Sequence, residues 1–269
     1  MRRIPGSAVY KVTFFTLVAL AAHAQTPSIS QGGVLNAANG ISPVAPGSLI
    51  SIYGTSLAGS VAQSSTIPLS GSLNNVGVTL NGIPAPLTYV SQTQINAQVP
   101  WNVLASGTSG TAAVIVNNNG QKSAATNVPV GPFSPGIFAI GGTVAVAINN
   151  SDGTVAAPAG SIAGITTRPA VVGEALGLQI WCTGLGAVDS SIADGANSAD
   201  TLRTALTFPR VLVGGKDVNV VWAGLTPQFP GVYQINITLP TGTPTGTAVS
   251  IQVVAGGITT SNTITMAIQ

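Results

Sequence analysis

Apolar and polar residues alternate along many short stretches of this chain, and Gly, Pro or Asn ends each stretch. The runs Val76–Leu80 and Ile95–Val99 have the period of two that sends successive side chains to opposite faces of a β-strand. Asn81-Gly82 and Gly214-Gly215 are typical of tight hairpin turns. No stretch of twelve residues has the apolar spacing of a helix. Short strands between frequent turns predict an all-β chain of immunoglobulin-like sandwiches.

The strand-like segments occur twice in the same order. Four pairs of segments match: 46–57 with 173–185, 76–82 with 209–215, 94–100 with 234–240, and 111–116 with 248–254. Such internal similarity indicates a duplicated domain. We therefore expect one sandwich over residues 25–130 and a second over residues 131–269. Because neighbours on a strand face opposite sides, Ile95 and Ile235 should lie in the two cores and the polar residues beside them should face outward.

Residues 131–169 have no counterpart in the first repeat, and we assign them to the second domain as an added strand or hairpin. Val144, Val146 and Ile148 alternate with other residues. This alternation favours strands over a flexible linker, which is the alternative.

Residues 1–24 have the features of a secretory signal peptide. Arg2, Arg3 and Lys11 are basic, Val12–Ala22 is an apolar run, and a small-x-small cleavage pattern ends at Ala24. The run of about eleven residues is shorter than the roughly twenty that a membrane-spanning helix needs. An uncleaved anchor is the alternative. The sequence therefore predicts a secreted or cell-surface protein with no membrane span after cleavage.

Removing this segment changes the chemistry available to the chain. Five basic residues then face six acids, a formal net charge of −1, which disfavours nucleic-acid binding. The only histidine, His23, leaves with the signal, and its loss excludes Ser-His-Asp catalysis and most zinc sites. We predict no catalytic residue and no cofactor. The single Cys182 follows apolar residues and should be buried, with a reactive thiol or an intermolecular bridge as the alternative.

The acidic loop from Asp189 to Asp200 is a weak calcium candidate. Asp189, Asp194 and Asp200, together with Ser and Asn oxygens, could supply the several oxygen ligands that calcium takes. Their spacing does not fit an EF-hand loop. We favour a solvated loop without metal.

Aromatic residues fall at matched positions of the two repeats. Tyr53 matches Trp181, and Tyr89 matches Trp222. Repetition across a duplicated domain favours a role in core packing over recognition.

Two aromatic residues have no such match and are the candidates for contact with a ligand. Trp101 follows the strand-ending Pro100, and we expect it to be exposed at an inter-domain or ligand-facing surface. Phe229 lies in an insertion of the second repeat and is the second candidate.

The motifs resemble the Solibacter-type uncharacterised C-terminal domain, a family of secreted Acidobacteria proteins. The resemblance runs from about Gly33 to the C-terminus. Its main motifs are Pro46 to Leu49, Tyr53-Gly54, Tyr89 to Ser91, Gln94 to Trp101, Pro135 to Phe138, Thr183 to Gly186 and Gly231 to Asn236. Each half is more distantly similar to IPT/TIG immunoglobulin-like domains. The resemblance implies an extracellular protein and carries over no catalytic residue.

Three functions are consistent with these observations. The first is a non-enzymatic adhesion or interaction module that binds an extracellular protein or glycan. The second is a carbohydrate-binding module that stacks sugars on Trp101 or Phe229, which a row of coplanar exposed aromatic rings would favour. The third is a carboxylate-dependent hydrolase, which requires two of the six acids to converge in one cleft. We favour the first.

Overall fold

The computed structural model describes Met1, residues 25–260 and residues 264–269. The predicted signal peptide therefore lies outside the described residues, apart from Met1. All regular secondary structure in the described chain is β-strand. The strands are β1 (Ser28–Asn36), β2 (Leu49–Thr55), β3 (Ala62–Gln63), β4 (Ser72–Leu73), β5 (Val76–Leu80), β6 (Ile83–Pro84), β7 (Leu87–Val90), β8 (Gln94–Gln98), β9 (Gly110–Asn118), β10 (Gln121–Lys122), β11 (Thr126–Val130), β12 (Gly136–Ile137), β13 (Ala139–Ile140), β14 (Val144–Ala145), β15 (Ala147–Asn149), β16 (Val155–Ala156), β17 (Thr167–Arg168), β18 (Leu178–Thr183), β19 (Arg210–Val213), β20 (Lys216–Leu225), β21 (Tyr233–Thr238), β22 (Gly246–Ala255), β23 (Ile258–Thr259) and β24 (Ile264–Ile268).

Residues 25–130, called the first half below, form two antiparallel sheets. One has five strands in the order β1-β2-β8-β7-β3. The other has the order β10-β9-β5-β4, with β11 also on β9 and β6 also on β5. Their inner faces enclose one hydrophobic core, which runs from Val34 to Val130.

Residues 131–269, called the second half below, form one continuous sheet in the order β13-β14-β24-β22-β19-β20-β21-β18-β15-β16-β17. In addition, β12 pairs with β18 and β23 pairs with β22. A second core runs from Ile137 to Ile268. The segment 131–169 supplies β12 to β17, so it contributes strands to this sheet.

The matched sequence segments form strands that pair in corresponding ways. In the first half Ile52 lies opposite Ile95 on β2 and β8, and in the second half Ile180 lies opposite Ile235 on β18 and β21. The pairs β5–β9 and β9–β11 likewise correspond to β19–β22 and β22–β24. The duplication and the domain bounds at residue 130 stay predictions, and these pairings are consistent with them.

The strand period predicts the core correctly. Ile95 and Ile235 are both fully buried, as expected. Asn81-Gly82 and Gly214-Gly215 have the positive φ angles that tight hairpin turns require. Cys182 is a free, fully buried thiol, as predicted, because it faces the second core from β18.

The matched aromatic residues do not pack in the cores, so this expectation was wrong. Tyr53 is 41% exposed, and Trp181, Tyr89 and Trp222 are half-buried. Each of them alternates with core residues, as Tyr53 does with Ile52. The same period of two that buries Ile52 therefore turns Tyr53 to the outer face of the sheet.

Gln98 also departs from the expectation that the polar side chains of β8 face solvent. Its side chain is fully buried, whereas the matched Thr238 is half-buried. The strand places Gln98 on the outer face, as predicted, but a loop of the second half covers it there.

Candidate functional site

The loop that contains the acidic residues crosses from the second half onto the first. The Gly195 amide donates to Gln98 Oε1 at 2.7 Å, and the Leu69 amide donates to the Gly195 carbonyl at 2.8 Å. Asp194 Oδ1 accepts a hydrogen bond of 2.8 Å from the Trp101 amide. A side chain on Gly195 would put its Cβ 2.6 Å from the Leu69 carbonyl oxygen, so the close approach depends on glycine.

A second group of hydrogen bonds joins the two halves at the end of β1 and the start of β2. Asn36 Nδ2 donates to the Ser134 carbonyl at 2.7 Å, and Asn39 Nδ2 donates to the Pro135 carbonyl at 3.1 Å. The Leu49 amide donates to Thr183 Oγ1 at 3.0 Å. Since Asn36 and Thr183 are both fully buried, these bonds are shielded from competing water.

The connecting residues are fixed as well. Phe133 lies half-buried against the second core. Its ring fits between two glycines, because a Cβ on Gly186 would be 2.6 Å from Phe133 Cε1 and one on Gly256 would be 2.1 Å from Phe133 Cδ2. The connection between the halves is thus packed as part of the second half.

The three calcium candidates are not brought together. Asp189 Oδ1 accepts from the Thr204 amide at 3.1 Å, Asp194 binds the Trp101 amide, and Asp200 forms a two-fold contact with Arg203 at 2.7 and 3.0 Å. In residues 25–260 and 264–269 no three His, Cys, Asp or Glu side chains form a group that could hold a metal ion. Each of these aspartates instead holds a part of the loop in place.

Arg203 binds two parts of the acidic loop. Its side chain is buried, with 8% of its surface exposed, and its Nε donates to the Ser191 carbonyl at 3.0 Å. Its guanidinium contact with Asp200 lowers the pKa of that carboxyl to about 2, mainly through the hydrogen bonds that Arg203 donates. The acid at the end of the loop therefore stays ionised at all ordinary pH values.

Trp101 lies at the junction of the two halves and is half-buried rather than exposed. Its ring packs over Gly47, where a Cβ would lie 2.2 Å from Trp101 Cη2, and it touches the second core. It lines a cleft of about 450 Å³ together with Pro46, Phe133 and Val188. Its indole Nε1 is buried and has no hydrogen-bond partner among the described residues.

A second cleft, of about 510 Å³, is also lined by the acidic loop. It is lined by Ile67 and Pro68 of the first half and by Ile192, Asn197 and Arg203 of the second. Residues of the acidic loop therefore line both clefts, and both clefts form where the halves meet.

Phe229, the other ligand candidate, is 45% exposed and packs on Trp181 instead. The two ring centroids are 5.3 Å apart, with an interplanar angle of 58°. Such tilted contacts between aromatic rings are favourable. The sequence pattern does not predict this pair, because its members are distant in the chain and the repeat favours a core position for Trp181.

All six carboxylates of the described chain have partners. Besides the three in the loop, Asp217 pairs with Arg210 at 2.7 Å, and Glu174 pairs with Arg168 at 3.0 Å. Asp152 also contacts Arg168, and this contact is the main cause that lowers the pKa of Asp152 to about 2. The pKa of Glu174 is lowered too, chiefly by the hydrogen bond from Ser151.

Within the described residues, no helix is long and apolar enough to cross a membrane.

Residues 39–130 match the family model of the IPT/TIG domain. An IPT/TIG domain is therefore present in the first half. Together with the observed strands, this match confirms the predicted all-β, immunoglobulin-like sandwich fold. No curated protein matches the sequence.

Several solved structures are distantly similar. The full extracellular region of plexin A4 is 10% identical, with 97% of this chain and 17% of that chain covered and a TM-score of 0.30. SGBP-B of the Bacteroides ovatus mixed-linkage glucan utilization locus, in complex with a mixed-linkage heptasaccharide, is 15% identical, with 84% and 42% covered and a TM-score of 0.31. Yersinia pseudotuberculosis InvD is 13% identical, with 91% and 57% covered and a TM-score of 0.23. The chain thus spans less than two thirds of each of these proteins, and likenesses this distant say nothing of what it binds.

Proposed function

We propose that this protein is a secreted or cell-surface, non-enzymatic interaction module of two tandem immunoglobulin-like domains, residues 25–130 and 131–269. The observation that carries the proposal is that each of the six carboxylates has a structural partner. The IPT/TIG domain supports it. The resemblance to the Solibacter-type domain of secreted Acidobacteria proteins belongs to the same proposal.

The chemistry of the carboxylates argues against the hydrolase alternative. Asp152 and Glu174 are the two acids that meet on one arginine, Arg168. A glycosidase needs one carboxyl group with a raised pKa to protonate the leaving group. Both of these carboxyls have lowered pKa values, so neither is suited to act as the acid.

The partner of the module is an extracellular protein or a glycan. The aromatic residues offered to it include Phe229, which is exposed, and Trp101, which lines the junction cleft. The proposal includes no metal, because Asp189, Asp194 and Asp200 already bind separate groups.

The test combines location with activity. Protein recovered from culture supernatant or the cell envelope should begin near Gln25 by N-terminal sequencing. It should release no product from a panel of polysaccharides and esters. Intact Met1 in the cytoplasm contradicts the location, and turnover that Asp152→Asn or Glu174→Gln abolishes contradicts the non-enzymatic role.

A further inference from the structure

The outer face of the sheet formed by β18, β20 and β21 combines aromatic rings with side-chain amides. Gln234 lies opposite Trp181 on β18 and opposite Gly224 on β20. One residue pair further along, Asn236 lies opposite Gln179 and Trp222. We call Gln179, Trp181, Trp222, Gln234, Asn236 and the loop residue Phe229 the amide–indole face.

The ring of Trp222 lies over the strand because Gly224 has no side chain. A Cβ on Gly224 would be 2.4 Å from Trp222 Cζ2. The ring therefore occupies the position beside Gln234, with Trp181 on the other side of that residue. Two neighbouring strand spacings separate the two indoles, a distance of about 10 Å.

The polar groups of this face are fixed by one another. Gln234 Nε2 donates to Asn236 Oδ1 at 2.8 Å. The two indole N–H groups donate to neutral oxygens, Trp181 to Gln179 at 3.4 Å and Trp222 to Thr204 at 3.3 Å. Every hydrogen bond among these side chains joins neutral groups, so the face is ordered without charge.

The first half repeats the arrangement at the matched positions. Tyr53 lies opposite Gln94, and Tyr89 lies opposite Asn96. Gln94 Nε2 donates to Asn96 Oδ1 at 2.8 Å, the same bond as in the second half. Core packing does not require this repetition, because these side chains point away from the core.

We propose that the amide–indole face binds a neutral oligosaccharide, with sugar rings stacked on Trp181 and Trp222 and hydroxyl groups bound between them. This inference deepens the proposed function and rests on it. The C–H face of a pyranose ring packs on the apolar face of an aromatic ring. Its hydroxyl groups donate and accept hydrogen bonds, and the amides of Gln234 and Asn236 do both as well.

The ligand class follows from the charge and shape of the face. An acidic polysaccharide would need cations, and the side chains of the face are neutral. The ring centroid of Phe229 lies 5.3 Å from that of Trp181 and extends the aromatic surface toward the loop.

The test is affinity electrophoresis of the exported protein in native gels that contain single polysaccharides. The neutral set is hydroxyethylcellulose, arabinoxylan, galactomannan and soluble starch, and the acidic set is alginate and polygalacturonate. At least one neutral polymer should retard the protein, and oligosaccharides cut from it should bind in calorimetry. Trp181→Ala and Trp222→Ala should each weaken that binding about tenfold, as truncation of a buried aromatic anchor does.

Matched variants separate loss of the site from loss of the fold. Phe208→Ala removes another exposed aromatic ring of the second half and should change binding less than about twofold. Phe229→Ala changes an exposed loop residue, so this variant should stay folded. It should therefore show weaker binding even if Trp181→Ala unfolds the protein. Trp181→Phe keeps a ring and should retain most of the affinity.

Three outcomes overturn the inference. The first is retardation by the acidic polymers alone. The second is neutral-polymer binding that Trp222→Ala and Phe229→Ala leave unchanged, and the third is no retardation by any polymer. The last would leave the proposed function intact. Hydrolysis of a polymer would instead contradict the proposed function itself.

Discussion

The two halves of the molecule differ in the strand that follows their matched hairpin turns. In the first half the chain forms β6 on one sheet, is interrupted at Ala85 and Pro86, and continues as β7 on the other. In the second half the ten-residue β20 pairs with β19 at its start and with β21 over the rest. One strand thereby joins both layers into a single sheet.

Prolines account for this difference. Pro84 and Pro86 cannot donate hydrogen bonds to a ladder, whereas β20 contains no proline. Other details are the same: the pairing shifts register between Leu87 and Tyr89, and it shifts at the matched place between Val220 and Trp222. The apolar pattern therefore determines how the strands pair, and proline determines whether the ladder is continuous.

The halves differ as strongly in charge. All six acids lie in the second half, and Lys122 is the single charged residue between positions 25 and 130. Among the described residues, the first half is held by apolar packing and neutral hydrogen bonds, while the second adds four ion pairs. The strand pairings that the halves share thus occur both with and without ionic contacts.

The largest expected effect comes from placing a charge in one core at a time. Ile95→Asp and Ile235→Asp should each unfold the half that contains them, because an unpaired buried charge costs several kcal/mol, comparable with the stability of a domain. Hydrogen exchange read by mass spectrometry should show that Ile95→Asp loses protection in residues 25–130 and that Ile235→Asp loses protection in residues 131–269. Ile235→Val, the control, should cost about 0.5–1.5 kcal/mol. Full protection in Ile95→Asp would refute the core position of this residue.

A smaller loss of stability should distinguish Gln98 on β8, which the loop covers, from the matched Thr238 on β21. Gln98→Ala leaves the Gly195 amide and the Gly47 carbonyl without their side-chain partner, which should cost about 1–3 kcal/mol. Thr238→Ala, at the less buried matched position, should stay within about 0.5 kcal/mol. Urea unfolding of the two variants measures both. Equal losses would mean that the loop contact at Gln98 contributes nothing.

Acid should affect the halves unequally. Asp152 and Asp200 have pKa values of about 2 in the folded chain, below the ordinary 3.8. Their contribution to stability is therefore complete above about pH 4 and is lost as the pH falls toward 2. Hydrogen exchange in that range should show residues 131–269 losing protection before residues 25–130. Asp200→Asn should reduce this pH dependence, and a first half that opens at higher pH than the second would contradict it.

The smallest perturbation uses the single thiol as a reporter. Cys182 belongs to the second half, and burial raises the pKa of its thiol, so a thiol reagent should label it only on unfolding. The extent of labelling, measured as a function of urea concentration, then reports unfolding of the second half alone. Circular dichroism over the same urea range reports unfolding of both halves. Rapid labelling of the native protein, or a disulfide-linked dimer on a non-reducing gel, would show that the thiol is accessible.

The sequence was sufficient for the features that depend on neighbours along the chain. The period of two placed Ile95 and Ile235 in the cores, and Gly214-Gly215 marked a turn. It could not show that a loop covers Gln98, since nothing near Gln98 in sequence encodes a contact made 97 residues away. The outward position of Trp181 could have been predicted from the sequence, because Trp181 lies two residues from the polar Gln179 on the same strand and therefore faces the same side.

The hydrogen bonds between the halves have a consequence for motion in solution. The two halves can reorient only after the bond from Asn36 to the Ser134 carbonyl and the bond from the Gly195 amide to Gln98 break. Thermal energy does not accomplish this on the nanosecond scale of Brownian rotation. NMR relaxation of the backbone amides should therefore give one common rotational correlation time for both halves. Two domains that tumble independently would give two shorter correlation times.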